Sequence, residues 1–314
     1  MEIRQLRTLI ALVESQFNMS RAAEKLNLVQ SALSQQLNRL ENELGAKLFI
    51  RKGKRLKSLT TVGEEVFKQA TIVLSAINNI HSVGKEYTER DFGVLNIGTT
   101  HMQARYILPP VIKLFSQLYP DVELQIHQGT PQQLVQLAMN YEVDFSICTE
   151  ALAGNSQFTL IPCYQWNRSL IVPPEHPLVD KKNISLEDLC DYPIVTYVAG
   201  FTGSKRVLET FKQSKLQPHV VLSAADSDII KSYVREQMGI GIIASLAYDR
   251  KNDSDLKCRD LGKLFPWEIT RIAYPKDKYL RKYQQVFIQL LLKQVSKHGS
   301  ESGYFCLPEE KVMT

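Results

Sequence analysis

Long apolar runs are missing from this chain. No stretch of 18 or more apolar residues occurs, and the N-terminus lacks a basic-then-apolar leader pattern. Neither a membrane-spanning helix nor a secretory signal is expected, and the cytoplasm is the expected compartment. Cysteine is sparse: Cys148, Cys163, Cys190, Cys258 and Cys306 are odd in number, scattered and without CxxC spacing. That excludes a disulfide framework and a zinc site and leaves reduced packing residues. The six histidines (His81, His101, His127, His176, His219, His298) form no HExxH or other paired-ligand spacing, and no GxSxG elbow occurs. No metal, cofactor or catalytic residue is therefore assigned, and the chain is not read as an enzyme. "GIGIIA" (239–244) fits G-x-G-x-x-A, but it follows a helical stretch and leads into a strand, the reverse of a dinucleotide fingerprint.

Charge is present but unevenly spread. Of the formal net charge of +5, all sits in residues 1–90, which hold 14 Lys+Arg against 9 Asp+Glu, whereas the rest of the 314 residues hold 24 of each. Lys47, Arg51, Lys52, Lys54, Arg55 and Lys57 form a run without an acid, which suits either a phosphate backbone or a solvated loop. The chain is long enough for two or more domains with sizeable cores.

Ile3, Leu6, Leu9, Ile10 and Val13 share one helical face over residues 3–15. A second helix is expected from the cap Ser20 through "RAAEKLN", with Ala22, Ala23 and Leu26 inward. After a short break, residues 28–45 read as a third helix closed by Gly45, with Leu33, Leu37, Leu40 and Leu44 as its core stripe. Its outer face carries Gln30, Ser31, Ser34, Gln35 and Asn38, short uncharged groups that both donate and accept toward base edges in a major groove. Helix, helix, tight turn, helix is the helix-turn-helix plan. "AKLFIRKGKRLKSLT" then reads as a wing hairpin whose basic tip, Arg51, Lys52, Lys54 and Arg55, would lie on phosphates. From Leu59 a 4-3 spacing (Leu59, Gly63, Val66, Ala70, Val73, Ile77, Ile80, Gly84) predicts a long helix. Pairing with its copy in a second chain is the preferred reading, docking on its own domain the alternative. Thr61 with Glu64 fits a capping box at its start, and Thr60 is an equally good cap.

"MSRAAEKLNLVQSALSQQLNRLENELGAKLFIRKGKRLKSLTTVGE" closely resembles the DNA-binding segment of LysR-type transcriptional regulators over about 60 residues, with its AA, QSA-S, LE-LG, LF-R and LT--G signposts. "TTHMQARYILPPVIKLF", "QGTP", "TEAL" and "CYQWNR" are similar to the cysteine-regulon branch of that family, the CysB and Cbl type. One departure is Val29, where relatives carry Ser or Thr as helix cap.

Beyond residue 91, strands and helices alternate in two similar units, with crossovers expected near Cys163 and Pro266. That alternation predicts parallel sheets covered by helices. "GTTHMQAR" lies where a strand ends and a helix begins, so the hydroxyls and free N–H groups of Thr99 and Thr100 form a natural anion pocket, with plain helix capping as the alternative. His101 falls inside the same motif. The resemblance implies effector contacts at Thr100, Gln103, Thr149, Trp166 and Thr202. Met102 stands where the branch has threonine, replacing a hydroxyl donor by a thioether.

The expected fold class is therefore α/β multi-domain. A winged helix-turn-helix (1–58) and a long linker helix for dimerisation (59–90) precede a periplasmic-binding-protein-like effector domain (91–314). The latter comprises subdomain I (about 91–163 and 267–295), subdomain II (about 164–266) and a flexible polar tail (296–314). The expected function is DNA-binding regulation of sulfur assimilation, cysteine biosynthesis or organosulfur use. The expected partners are double-stranded promoter DNA, a small anionic or acetylserine-type effector, a second or fourth copy of the chain, and RNA polymerase as a further candidate. The alternative is a solute-binding-type module or enzyme whose N-terminal segment only oligomerises.

Overall fold

Asn18, Gly45, Thr60 and Thr130 set the boundaries of four helices by satisfying backbone groups that would otherwise be orphaned, and the architecture follows from such local choices. The computed structural model describes residues 1–53, 55–88, 91–149, 156–201 and 203–302, with side chains as far as 296. Two compact units result, one spanning Met1–Thr88 and the other most of the remainder.

The first unit opens with α1 (Ile3–Glu14), α2 (Met19–Lys25) and α3 (Gln30–Leu44). Leu6, Leu9 and Leu12 of α1 pack with Ala22, Ala23, Leu33, Leu37 and Leu40 in one hydrophobic cluster. Ile3 and Leu44, both expected inward, are exposed, because each lies a turn beyond the point where the helices meet. The second helix starts earlier than expected: the Asn18 side chain, not Ser20, accepts from the Ser20 and Arg21 N–H groups, both at 3.1 Å. At the far end of α3, Gly45 adopts φ +64°, the left-handed conformation that lets its N–H reach back to the last carbonyls.

The hairpin is formed by β1 (Phe49–Lys52) and β2 (Arg55–Leu59), paired antiparallel, with Gly53 turning at φ +63°. Lys54 lies outside the described residues. Next, α4 (Thr61–Thr88) begins where the Thr60 hydroxyl accepts from Gly63 N–H at 2.9 Å, so Thr60 is the cap rather than Thr61. The expected seam of α4 divides in two. Gly63, Val66 and Ala70 dock on their own unit, and a Cβ on Gly63 would stand 2.0 Å from the Leu48 carbonyl oxygen. Beyond Leu74 the apolar side chains Ile80, Val83 and Tyr87 are exposed, as are Ile72 and Val73.

The second unit contains two five-stranded sheets. The first holds β3 (Gly93–Thr99), β4 (Val122–Gln128), β5 (Phe145–Cys148), β6 (Phe158–Trp166) and, returning late, β12 (Glu268–Pro275), in the order β4-β3-β5-β12-β6. Its helices are α5 (His101–Tyr106), α6 (Leu108–Leu118) and α7 (Pro131–Met139), with α11 (Lys282–Ser302) closing the chain's described part. The second sheet holds β7 (Arg168–Val172), β8 (Ile194–Tyr197), β9 (Val220–Ala224), β10 (Ile240–Ala244) and β11 (Lys257–Asp260), in the order β11-β7-β10-β8-β9. The helices α8 (Leu186–Cys190), α9 (Ser204–Gln213) and α10 (Ser227–Arg235) accompany it.

Neither sheet is wholly parallel. β12 runs against both neighbours in the first, and β7 against both in the second. These are the strands that carry the chain across between sheets, and a strand entered by crossing over rather than through a helical return has no reason to keep the common direction. The crossing itself is at Asn167, whose amide donates to the carbonyls of Gly262 (3.2 Å) and Phe265 (2.9 Å) on the returning segment. Of the Gly239–Ala244 run, Ile240–Ala244 form β10, buried throughout, so the run enters a strand and does not open an α-helix. α11 extends to Ser302, into the segment expected as tail, and residues 303–314 lie outside the described residues. No described helix is long and apolar enough to cross a membrane.

Candidate functional site

In the first unit the candidate face is built on α3. Burial of Leu33, Leu37 and Leu40 turns Gln30, Ser31, Gln35 and Asn38 outward, with Ser34 half-buried. Gln30, Ser31, Ser34 and Arg51 line one groove of about 520 Å³, together with Met19, Gly53 and Leu56. The structure thus brings the start of α3 and the wing into one concavity. Gln35 and Asn38 lie further along the same helix, and Lys52 and Arg55 are exposed on the hairpin. The basic run has an acidic neighbour that the sequence hides. Glu41, buried on α3, accepts from Lys47 Nζ at 2.8 Å and from the Leu48 N–H at 2.9 Å, with Arg51 Nη2 at 3.9 Å.

In the second unit the candidate effector residues gather where β3 ends and α5 begins. The Thr100 hydroxyl is hydrogen-bonded to the Gln103 side-chain oxygen, and both residues are buried. Trp166 Nε1 donates to Thr149 Oγ1 at 3.1 Å, and Thr149 Oγ1 lies 2.9 Å from Thr270 Oγ1. The Tyr164 hydroxyl faces Thr270 and Gln103, and burial pushes its ionisation well above the ordinary tyrosine range, so it stays a neutral hydroxyl. Thr100, Gln103, Thr149, Tyr164, Trp166 and Thr270 therefore make one uncharged network, buried except for the half-buried Thr149, that joins the start of α5 and the residue after β5 to β6 and β12. Met102 is buried in the same hydrophobic cluster as Tyr164 and Trp166. Thr202 lies outside the described residues.

Tyr164 and Thr270 are missing from the sequence-based set. Tyr164 precedes Trp166 by two on one strand and so shares its face, a signal readable from period-2 alternation. Thr270 is opposite Tyr164 across the β6/β12 pairing, more than a hundred residues away in the chain, and only the pairing reveals it.

Behind the pocket, Arg168 is fully buried. Its Nη2 donates to Glu268 Oε1 at 3.0 Å and to the Gly203 carbonyl at 2.9 Å, and the guanidinium lies 5.4 Å from the Trp166 ring centre. Its charge is thus matched within the protein. His101, Asp226 and Asp228 bring ligand-type atoms within 4.8 Å of one another. Both carboxylates are engaged, however: Asp226 caps α10 through the Ile229 N–H at 2.9 Å, and Asp228 pairs with Lys231 at 3.1 Å. The cysteines Cys148, Cys163, Cys190 and Cys258 are free thiols.

Two family models cover these two units. Residues 3–64 match the model described as "Bacterial regulatory helix-turn-helix protein, lysR family", and residues 88–296 match "LysR substrate binding domain". The chain belongs to the LysR family of transcriptional regulators. Among LysR-family relatives it is 43% identical to the HTH-type transcriptional regulator CysB of Haemophilus influenzae, over 92% of this chain and 89% of that one. It is 40% identical to the HTH-type transcriptional regulator SsuR of Burkholderia cenocepacia, over 92% and 94%. The solved cofactor-binding domain of the Cbl transcriptional regulator is 36% identical, with a TM-score of 0.61, covering 67% of this chain and 95% of that domain. The resemblance to the CysB and Cbl branch is borne out, and these LysR relatives are regulators, not enzymes.

Proposed function

We propose that this LysR-family regulator controls genes of sulfur assimilation, cysteine biosynthesis or organosulfur use. In this reading residues 1–58 bind promoter DNA, residues 59–90 pair copies into a dimer or tetramer, and residues 91–314 hold the effector between two α/β halves. Gln30, Ser31, Ser34, Gln35 and Asn38 read base edges, while Arg51, Lys52, Lys54 and Arg55 contact phosphates. RNA polymerase is a further candidate contact.

The observation that carries the effector part is the buried uncharged network at the start of α5. An anion or a small polar acyl amino acid can be held there by hydroxyl, amide and indole donors of Thr100, Gln103, Thr149 and Trp166, with Thr202 added by the family resemblance alone. Each such hydrogen bond to a charged group contributes about 1.5–3 kcal/mol. Met102 supplies no such donor, so an effector held there makes one hydrogen bond fewer than it would beside a hydroxyl at that position.

The test is calorimetry of the full-length protein with sulfate, O-acetylserine, N-acetylserine and adenosine phosphosulfate, repeated with Met102→Thr. One of them is expected to bind, and to bind the threonine variant about 10-fold or more tightly. The same ligand is expected to change the protein's assembly on promoter DNA, since a ligand with equal affinity for both states shifts nothing. Absence of binding to either protein would remove this effector class and leave the DNA-binding regulator standing.

A further inference from the structure

Helix α5 is only six residues long, and it carries chemistry at both ends. Its cap and first turn supply Thr100 and Gln103 to the candidate effector site and Met102 to the adjoining hydrophobic core. Its last turn supplies Arg105 and Tyr106, which reach across to α10 of the other half. The Tyr106 hydroxyl donates to Asp228 Oδ1 at 2.6 Å and accepts from Lys231 Nζ at 3.1 Å. Lys231 Nζ also sits 5.2 Å from the Tyr106 ring centre, and Arg105 Nε lies 3.5 Å from Asp228 Oδ2.

The far side of this contact is rigidly held. Lys231 is 4% exposed and donates to Asp253 Oδ2 and to the Ala247 carbonyl, both at 3.0 Å. Asp253 is in turn bound by Arg235 Nη2 at 2.9 Å. The ring of Tyr106 packs against the hydrophobic clusters of both halves, so apolar and polar contacts cross between them at one residue. Burial and the Asp228 carboxylate raise the tyrosine's ionisation far above its ordinary value. Burial works against ionisation of Asp228, but Tyr106, Lys231 and Arg105 outweigh it and hold that carboxyl below the ordinary range. The hydroxyl is therefore a donor to a carboxylate throughout the physiological range.

The two halves are joined covalently only at the β6/β7 and β11/β12 crossings, so their relative placement depends on contacts such as this one. We propose that Tyr106, with Asp228 and Lys231, is a latch between the halves that fixes α5, and that it is a positioning residue for the pocket at the other end of that helix. The coupling to the effector rests on the reading of that pocket given above. A cleft held in its binding-competent arrangement binds at its intrinsic affinity, and one released from it binds more weakly in proportion to the lost population.

Tyr106→Phe removes both hydrogen bonds of the hydroxyl while keeping the ring. It strands no buried charge, because Lys231 and Asp228 remain paired at 3.1 Å. Hydrogen exchange of the ligand-free, full-length variant is expected to speed up in α5 and α10 together, with exchange in β8 and β10 and the thermal midpoint unchanged. A purely local structural role for Tyr106 would not move α10 and the pocket end of α5 at once. Affinity for sulfate and for N-acetylserine, each titrated into wild type and variant, is expected to fall about 10-fold. Unchanged exchange in either helix would overturn the latch, as would equal affinity of the two proteins for a probe the wild type binds. If the wild type binds neither probe, the effector reading fails, and the exchange measurement alone decides the latch.

Discussion

Glu41 illustrates how a single buried group can hold an element in place. Its carboxylate is 2% exposed, yet it takes the Leu48 N–H just before the wing and the Lys47 ammonium beside it, stitching the end of α3 to the hairpin. Glu41→Ala leaves a buried N–H without a partner, at a cost of about 1–3 kcal/mol. A urea unfolding curve of the full-length protein should show the unfolding free energy of the first unit lowered by that amount and its midpoint lowered accordingly, and an unchanged midpoint would mean that water replaces the carboxylate. Cys163 tests burial by titration. Burial, outweighing Arg271 and a backbone donor, pushes its thiol up to about 12. The neutral thiol persists until pH nears that value, and the thiolate is the reactive form. Iodoacetamide at pH 8 should therefore leave Cys163 unmodified in the native protein and modify it after unfolding, as read by peptide mass spectrometry. At this scale the sequence was legible where a contact is local: Thr100 and Gln103, named through the family resemblance, meet three residues apart on one helical turn. It was silent on the partners of Glu41, which lies at the edge of the α3 core stripe, four residues after Leu37, and on Thr270, which reaches the network through strand pairing.

Elements were legible to the degree that their own ends specify them. The amphipathic stripe of α3 and its closing glycine predicted its span to within two residues, whereas α2 was misplaced because Asn18 and Ser20 are both good caps and only the turn before them chooses. The reversed strands β7 and β12 had no local signature at all, since direction within a sheet is a property of how the chain crosses over. The same logic makes a prediction at Val29. It occupies the cap position of α3 with φ −80° and ψ 148°, the extended conformation a capping residue needs, but offers no side-chain acceptor. It is also exposed, so a change there disturbs no packing. Val29→Ser should give the free N–H groups of the first turn an acceptor and stabilise the first unit by about 1 kcal/mol. Differential scanning calorimetry would register this as a raised midpoint. A lowered one would show that the valine makes an apolar contact in the assembled regulator.

At the scale of the whole molecule, two distributions bear on function: positive charge and uncovered apolar surface. All the net charge of +5 resides in residues 1–90, and the same segment ends in an α4 whose Val73, Ile80, Val83 and Tyr87 lie at helical spacing and are exposed among the described residues. The first half of the expected seam is consumed by the chain's own core, so an α4 pair between copies would have only the second half to use. Ile80, at 71% exposure, is the place to test it. Ile80→Asp puts a charge into any symmetric α4 pair and faces it with its own copy, while in the single chain it merely exchanges one solvated side chain for another. Sedimentation equilibrium should show the variant as a monomer where the wild type self-associates. The DNA consequence follows from counterion release. A pair of wings neutralises about twice as many phosphates as one, so the slope of log affinity against log salt should fall to roughly half in the variant. Ser34→Ala, in contrast, should weaken binding to the specific site by about 1–3 kcal/mol without changing the slope if Ser34 reads a base edge as proposed, because it removes no charge. If Ile80→Asp stays oligomeric, or if its salt slope matches the wild type's, then α4 does not join the copies that grip DNA, and another surface of the effector unit must.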